Sequence, residues 1–149
     1  MNVIIREGRK EDIPQVLDLV KELAIYEKSL DQVSNTVERM THDGFGPNPI
    51  YGLLVADVDG KIYGTSIYYY RYSTWKGKRL YLEDIVVTES QRGNGIGKKL
   101  FDATIEIGKS TECTGMMWQV LDWNQPAIDF YKKYDMKMET EWNNCHLDF

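Results

Sequence analysis

Thiols are scarce in this chain: Cys113 and Cys145 are the two it has, too few for a disulfide framework or a four-thiolate metal site. A reducing compartment follows as the simplest expectation, with both cysteines as ordinary packing residues. Histidine is equally scarce. His42 and His146 stand far apart, with no acid or thiol at ligand spacing, so no metal site is expected; one reads as a loop residue and the other as a strand residue. Positive charge is in deficit, 18 Lys and Arg against 23 Asp and Glu, for a formal net charge of −5. Nucleic-acid binding needs basic clusters to neutralise phosphates, and that balance argues against it. An acidic field does suit a small cationic partner. Long apolar runs are missing too. Stretches such as Ile50 to Ala56 are far too short to cross a bilayer, and Met1 to Glu11 is too polar for a signal-peptide core. A soluble, cytoplasmic protein is expected, without a membrane partner.

Linkers rich in Pro and Ser, internal repeats and low-complexity tracts are also absent, so residues 1–149 are expected to form a single domain. What is present is alternating helix and strand patterning. Val3 to Ile5 is a short β-branched run. Asp12-Ile13-Pro14 opens a helix to about Tyr26, with Ile13, Val16, Leu17, Val20, Leu23 and Ala24 at helical spacing. Ser34 to Thr41 predicts a second helix, stopped by Asp43-Gly44. Tyr51 to Val58 and Lys61 to Tyr72 read as strands joined at Asp59-Gly60, and Arg79 to Thr88 as a third. A glycine loop, Gln91 to Gly97, leads into a helix through Gly108 with Ile96, Leu100, Ala103 and Ile107 on one face. Met116 to Leu121 predicts a strand, Asn124-Gln125-Pro126 opens a helix to about Tyr134, and Met138 to Phe149 is expected to close in extended structure. The class is α/β (α+β): a mixed, mostly antiparallel central sheet flanked by helices.

Two segments carry chemistry. Arg92-Gly93-Asn94-Gly95-Ile96-Gly97-Lys98-Lys99 leaves a strand and begins a helix, so its backbone N–H groups and the helix dipole converge on the turn. Glycines permit close approach and Arg92 adds a charge-assisted contact, which together suit a phosphate better than a plain turn would require. A Walker loop is excluded, because Arg92 stands where its first Gly belongs and Lys99 where its Ser or Thr belongs; G-x-G-x-G is not the dinucleotide fingerprint either. In the other segment, Leu80-Tyr81-Leu82-Glu83-Asp84-Ile85-Val86-Val87, two acids lie side by side in an apolar strand. Neighbours on a strand face opposite ways, so an edge position or a bulge is needed to place both, and a buried carboxylate is costly unless partnered or used.

Arg92-x-x-Gly95-x-Gly97 matches the pyrophosphate signature of the GNAT superfamily of N-acetyltransferases, and the element order resembles that fold. Asn124-Gln125-Pro126-Ala127-Ile128-Asp129-Phe130-Tyr131 is similar to the segment by which that superfamily sets a tyrosine beside the sulfur of CoA. The resemblance narrows with Tyr81-Leu82-Glu83-Asp84, Lys21-Glu22-Leu23-Ala24-x-Tyr26-Glu27, Asp43-Gly44-Phe45-Gly46 and Tyr72-Ser73-Thr74-Trp75-Lys76-Gly77. These look like the diamine (spermidine/spermine) acetyltransferase group, its thialysine N-ε-acetyltransferase branch above all, and they span nearly the whole chain.

That resemblance implies an acetyl-CoA-dependent N-acetyltransferase, without a metal, acting on the primary amine of a small cationic metabolite by direct attack. It implies Glu83 as general base and Tyr131 as the acid that protonates the departing thiolate. Asp84, Glu27, Tyr26 and Trp75 would hold the amine. Ile85, Val86, Val87, Arg92, Gly93, Asn94, Gly95, Ile96, Gly97, Lys98, Asn124, Tyr131 and Lys132 would hold acetyl-CoA, and a homodimer is expected. The chain departs from the pattern at Ser73, where the polyamine-preferring branch carries an acid, and at Tyr134-Asp135, where a glycine is common. Ser73 points to a lysine-like amino acid over spermine. A non-catalytic acyl-CoA-binding module, or an acetyltransferase for protein amino groups, is the alternative on the same fold.

Overall fold

A computed structural model describes residues 1–149, which form two compact units, Met1–Trp118 and Gln119–Phe149.

The larger unit is built on one five-stranded sheet in the order β1 (Ile4–Glu7), β2 (Gly52–Val58), β3 (Lys61–Ser73), β4 (Gly77–Val87) and β5 (Met116–Trp118). The first four strands are antiparallel and β5 runs parallel to β4. The β2–β3 turn has Asp59 at φ 51° and Gly60 at φ 88°, and Asp57 accepts a hydrogen bond from the Gly60 N–H at 2.7 Å. Two positive φ values in sequence match the twist of the flanking strands.

Strand alternation sorts the core into two layers. Leu53, Val55, Ile67 and Val86 meet α1 (Ile13–Tyr26) through Ile13, Val16, Leu17 and Leu19, with Met40 of α2 (Val37–Phe45). On the other face Leu54, Ala56, Tyr68 and Leu80 meet Ile96 and Leu100 of α3 (Ile96–Ser110). Each fully buried aliphatic side chain contributes about 1.5–3 kcal/mol. A buried hydroxyl pair, Ser66 with Thr104 at 2.7 Å, crosses the same layer, and Thr104 also donates to the Leu100 carbonyl. Arg6 on β1 pairs with Asp12 at the start of α1 at 2.8 Å and with Asp57 of β2 at 3.0 Å.

The smaller unit holds one helix, α4 (Gln125–Tyr131), and no strand. Asn124 caps it, accepting from the Ala127 N–H at 3.3 Å, and Pro126 sits in its first turn. The ring of Phe130 contacts those of Tyr131 and Tyr134, at centroid distances of 5.5 and 5.9 Å.

Several boundaries differ from the sequence expectation. α2 begins at Val37, because Thr36 accepts from the Arg39 N–H and so wins over Ser34 as the cap. β5 stops at Trp118, and α4 stops at Tyr131, where the Tyr134 N–H turns back to the Tyr131 carbonyl. Residues 138–149 form no strand and all are exposed: Cys145, Leu147 and Phe149 alternate with polar neighbours as strand residues do, but no ladder partner takes them up. His42 is helical and His146 lies outside any strand. Cys113 packs against the α3 layer, whereas Cys145 is exposed and is not a packing residue.

Candidate active site

The acidic pair on β4 is explained by a bulge. Ile67 of β3 stands opposite Asp84, and Tyr68 stands opposite Leu82, so Glu83 is an extra residue between them. Leu80 and Ile85 both face the α3 layer. Counting forward from Leu80 and backward from Ile85, Glu83 and Asp84 both fall on the α1 face. Two adjacent carboxylates thereby share one side of the sheet, with Glu83 exposed and Asp84 half-buried.

Around them the α1 face gathers further groups. Glu27 caps the end of α1, and its carboxyl is raised by burial. Burial, then the charges of Glu83 and Glu27, push Asp84 up to about 6. Tyr69 and Tyr81 face each other across the β3–β4 ladder with ring centroids 5.1 Å apart. Burial raises both phenols, and the Glu83 charge adds to it. The Arg71 guanidinium lies 5.7 Å from the Tyr81 ring. This is an acidic, aromatic-walled patch of the kind that takes an alkylammonium ion.

Beyond the bulge β4 opens on one side. Its parallel ladder with β5 ends at Leu82 and Trp118, while β4 itself continues to Val87. The Thr88 N–H donates to the Tyr63 carbonyl at 2.8 Å, which sets the phase of the antiparallel ladder. Val86 then bonds to Thr65, and the backbone groups of Ile85 and Val87 point to the edge away from β3. Neither faces a strand there, so their N–H groups are turned to that edge, whereas the N–H of Val86 is spent on the ladder with Thr65.

The glycine loop follows. Gly93 and Gly95 take φ +83° and +76°, left-handed values that only glycine adopts without strain, and a Cβ on either would meet no atom within 4 Å. Gly95 caps α3 with no side-chain hydrogen bond, leaving the first N–H groups of α3 without a side-chain cap. The Ile96 side chain is buried in the core, which leaves its backbone N–H as the group it can offer the loop. Gly97 has an ordinary φ, and a Cβ there would meet only the Val87 side chain at 3.7 Å. Arg92 is exposed; its Nε donates to the Val87 carbonyl at 3.1 Å, and its guanidinium lies 5.6 Å from the Tyr26 ring. Asn94 donates back to the Gln91 carbonyl at 3.3 Å, and Lys98 pairs with Asp102. An open N–H cradle with an adjacent guanidinium fits a diphosphate.

The structure thus brings Glu27, Glu83 and Asp84 together, and sets the glycine loop at the end of the same strand. Trp75 is not brought there. It sits 86% exposed at the β3–β4 hairpin tip, and Gly77 to Glu83 alone spans about 20 Å of strand. The Ser73 hydroxyl accepts from the Trp75 and Lys76 N–H groups at 3.2 and 3.0 Å, so it shapes that tip. Tyr26 stacks with Arg92 at the loop end. In the smaller unit Asn124 and Tyr131 are buried and Lys132 is exposed. Sequence reasoning missed Tyr69, whose place opposite Tyr81 depends on register. It also missed a role for Glu22, whose carboxylate accepts from the Thr88 hydroxyl and the Glu89 N–H.

Comparison with known proteins gives a consistent answer. The Acetyltransferase (GNAT) family model matches residues 16–136. Thialysine N-epsilon-acetyltransferase of Bos taurus is 41% identical over 152 residues, spanning 97% of this chain and 89% of that protein. Human spermidine/spermine N(1)-acetyltransferase-like protein 1 is 38% identical over 93% of this chain but only 21% of its own greater length. A mutant of the BH1408 protein from Bacillus halodurans superposes with TM-score 0.78 at 27% identity, covering 97% of this chain and 99% of that one. The aminoglycoside N-acetyltransferase AAC(6')-Iy, in complex with CoA, shares the fold with TM-score 0.76 at 20% identity, over 99% of this chain and 95% of its own.

Proposed function

The chain belongs to the GNAT family of acetyltransferases, and on that premise we propose that it acetylates the side-chain amine of a lysine-like amino acid in preference to a polyamine. Acetyl-CoA supplies an activated acetyl thioester. The observation that carries the reading is the bulge at Glu83, which sets two carboxylates beside Glu27 on the strand that feeds the glycine loop.

An alkylamine arrives as an ammonium ion, with a pKa near ~10, and attacks only after losing a proton. Asp84 and Glu27 hold the ammonium by charge. Glu83, the more exposed of the β4 pair, takes the proton directly or through water. The edge N–H of Ile85 or Val87 polarises the acetyl carbonyl. Arg92 and the N–H groups from Gly93 to Gly97, with Lys98 beside them, grip the diphosphate. Asn124 fixes the start of α4, and Tyr131 at its end gives a proton to the departing thiolate; Lys132 adds charge for the coenzyme. Residues 1–149 act as one catalytic domain in this reading.

Ser73 carries no charge and is spent on its turn, so no second anion stands ready at the hairpin tip for a distant ammonium. The tip's distance from Glu83 along the sheet also supports a homodimer, in which Trp75 would serve a neighbouring site. A cytoplasmic location without nucleic-acid or membrane partners completes the proposal; no helix is long and apolar enough to cross a membrane. Thiol release from acetyl-CoA, measured against thialysine, lysine, putrescine, spermidine and spermine, tests it. Fastest release with thialysine or lysine is expected. Spermine as the best acceptor overturns the preference, and no amine-dependent release overturns the enzyme.

A further inference from the structure

Helix α1 touches the glycine loop at two places, neither of which the reaction itself requires. Glu22 and Tyr26 are four residues apart, so they share one face of the helix. The Glu22 carboxylate accepts from Thr88 Oγ1 at 3.0 and 3.2 Å and from the Glu89 N–H at 2.8 Å. Thr88 is fixed to the sheet as well, through its N–H to the Tyr63 carbonyl. The turn that follows is closed by Gln91 N–H to Thr88 O at 3.0 Å and Arg92 N–H to Glu89 O at 3.2 Å. Arg92 then returns to the helix, its guanidinium over the Tyr26 ring at 5.6 Å while Nε holds the Val87 carbonyl. That leaves the two terminal nitrogens of Arg92 as its donors for an anion.

We propose that Glu22 and Tyr26 are positioning residues for acetyl-CoA: they hold the entry of the diphosphate loop and the Arg92 side chain in the binding arrangement before the coenzyme arrives. The physical reason lies in the glycines. A loop with Gly93 and Gly95 has many conformations to lose, and ordering it on binding subtracts from affinity. A carboxylate that spends both oxygens on one hydroxyl and one N–H orders the loop's first residues in advance, and a ring under the guanidinium removes rotamers from Arg92. Tyr26 thereby serves the coenzyme end of the site rather than the amine end.

This inference rests on the reading of the loop as the diphosphate grip, and the experiment separates the two. CoA affinity is measured by titration calorimetry for the intact protein and for Arg92→Ala, Glu22→Gln, Thr88→Val, the Glu22→Gln/Thr88→Val pair, Tyr26→Leu and Tyr26→Phe. Steady-state constants and thermal midpoints are taken on the same samples. Glu22→Gln and Thr88→Val are each expected to weaken CoA about fivefold to tenfold, with the double variant no weaker than the worse single one. Tyr26→Leu should weaken CoA about threefold or more, and Tyr26→Phe, which keeps the ring, should recover most of that. The amine KM at saturating acetyl-CoA should move by less than about twofold in the Glu22 and Tyr26 variants, a split that lost stability alone would not produce. If Arg92→Ala binds CoA normally, the loop assignment fails, and this inference with it. If Arg92→Ala binds weakly while Glu22→Gln binds normally, the positioning role of Glu22 fails alone. A Tyr26→Leu protein whose amine KM shifts more than its CoA affinity overturns the part given to Tyr26.

Discussion

Asp84 binds its proton more tightly than a solvated aspartate, because burial, Glu83 and Glu27 all oppose its charge and lift it to about 6. Between the ordinary carboxylate range and pH 6 the folded chain keeps a proton that the unfolded chain has lost, so stability falls as pH rises through that window and levels off above it. Asp84→Asn should flatten this slope in denaturant titrations from pH 4 to 7; an unchanged slope would mean that Asp84 is not the strained group. For catalysis the direction reverses. Ionised Asp84 attracts an ammonium ion, so the amine KM should fall as pH rises through about 6, and the acetyl-CoA KM should not follow it. Tyr131→Phe should lower kcat by about a hundredfold, as loss of a general acid does, while acetyl-CoA still binds. Undiminished turnover would pass the acid role to another group.

Among the elements, the glycine loop separates two uses of the same residue type. Gly95 is held at φ +76°, so Gly95→Ala should cost about 1 kcal/mol of stability as well as coenzyme affinity. Gly97 has an ordinary φ and room for a methyl group against Val87. Gly97→Ala should therefore melt as the parent does, yet raise the acetyl-CoA KM if a diphosphate approaches that backbone. Equal melting with an equal KM would show that nothing comes close there. The β4 bulge shows what pairing adds to a strand. A lone strand reading sends Glu83 and Asp84 to opposite faces, whereas the extra residue against Ile67 and Tyr68 puts both on one.

For the whole molecule, charge is the relevant quantity. The net charge is −5, yet from Lys61 to Leu82 the chain carries Lys61, Arg71, Lys76, Lys78 and Arg79 and no acid. Negative charge is correspondingly concentrated elsewhere, Glu27, Glu83 and Asp84 included. An ammonium substrate should be drawn by that field, so raising salt from about 20 mM to about 300 mM should raise the amine KM several-fold, the screening length shrinking below the reach of the site. A salt-independent KM would place recognition in short contacts alone.

Local sequence was enough for features that close within a few residues. The span of α1 follows from Pro14 and the apolar spacing after it, the β2–β3 turn from Asp59-Gly60, and the start of α3 from Gly93 to Gly97; each is set by backbone sterics or by a helix period that near neighbours enforce. The alternation in residues 138–149 did not decide their structure, since a strand also needs a ladder partner beyond the segment. Tertiary structure alone decided the register that bulges Glu83, the ending of the β5 ladder at Trp118 that bares the edge of β4, the distance of Trp75 from the acids, and the grip of Glu22 on Thr88. All four are relations between residues remote in the chain, and hydrogen-bond pairing across strands, rather than any propensity along one, fixes where such residues meet.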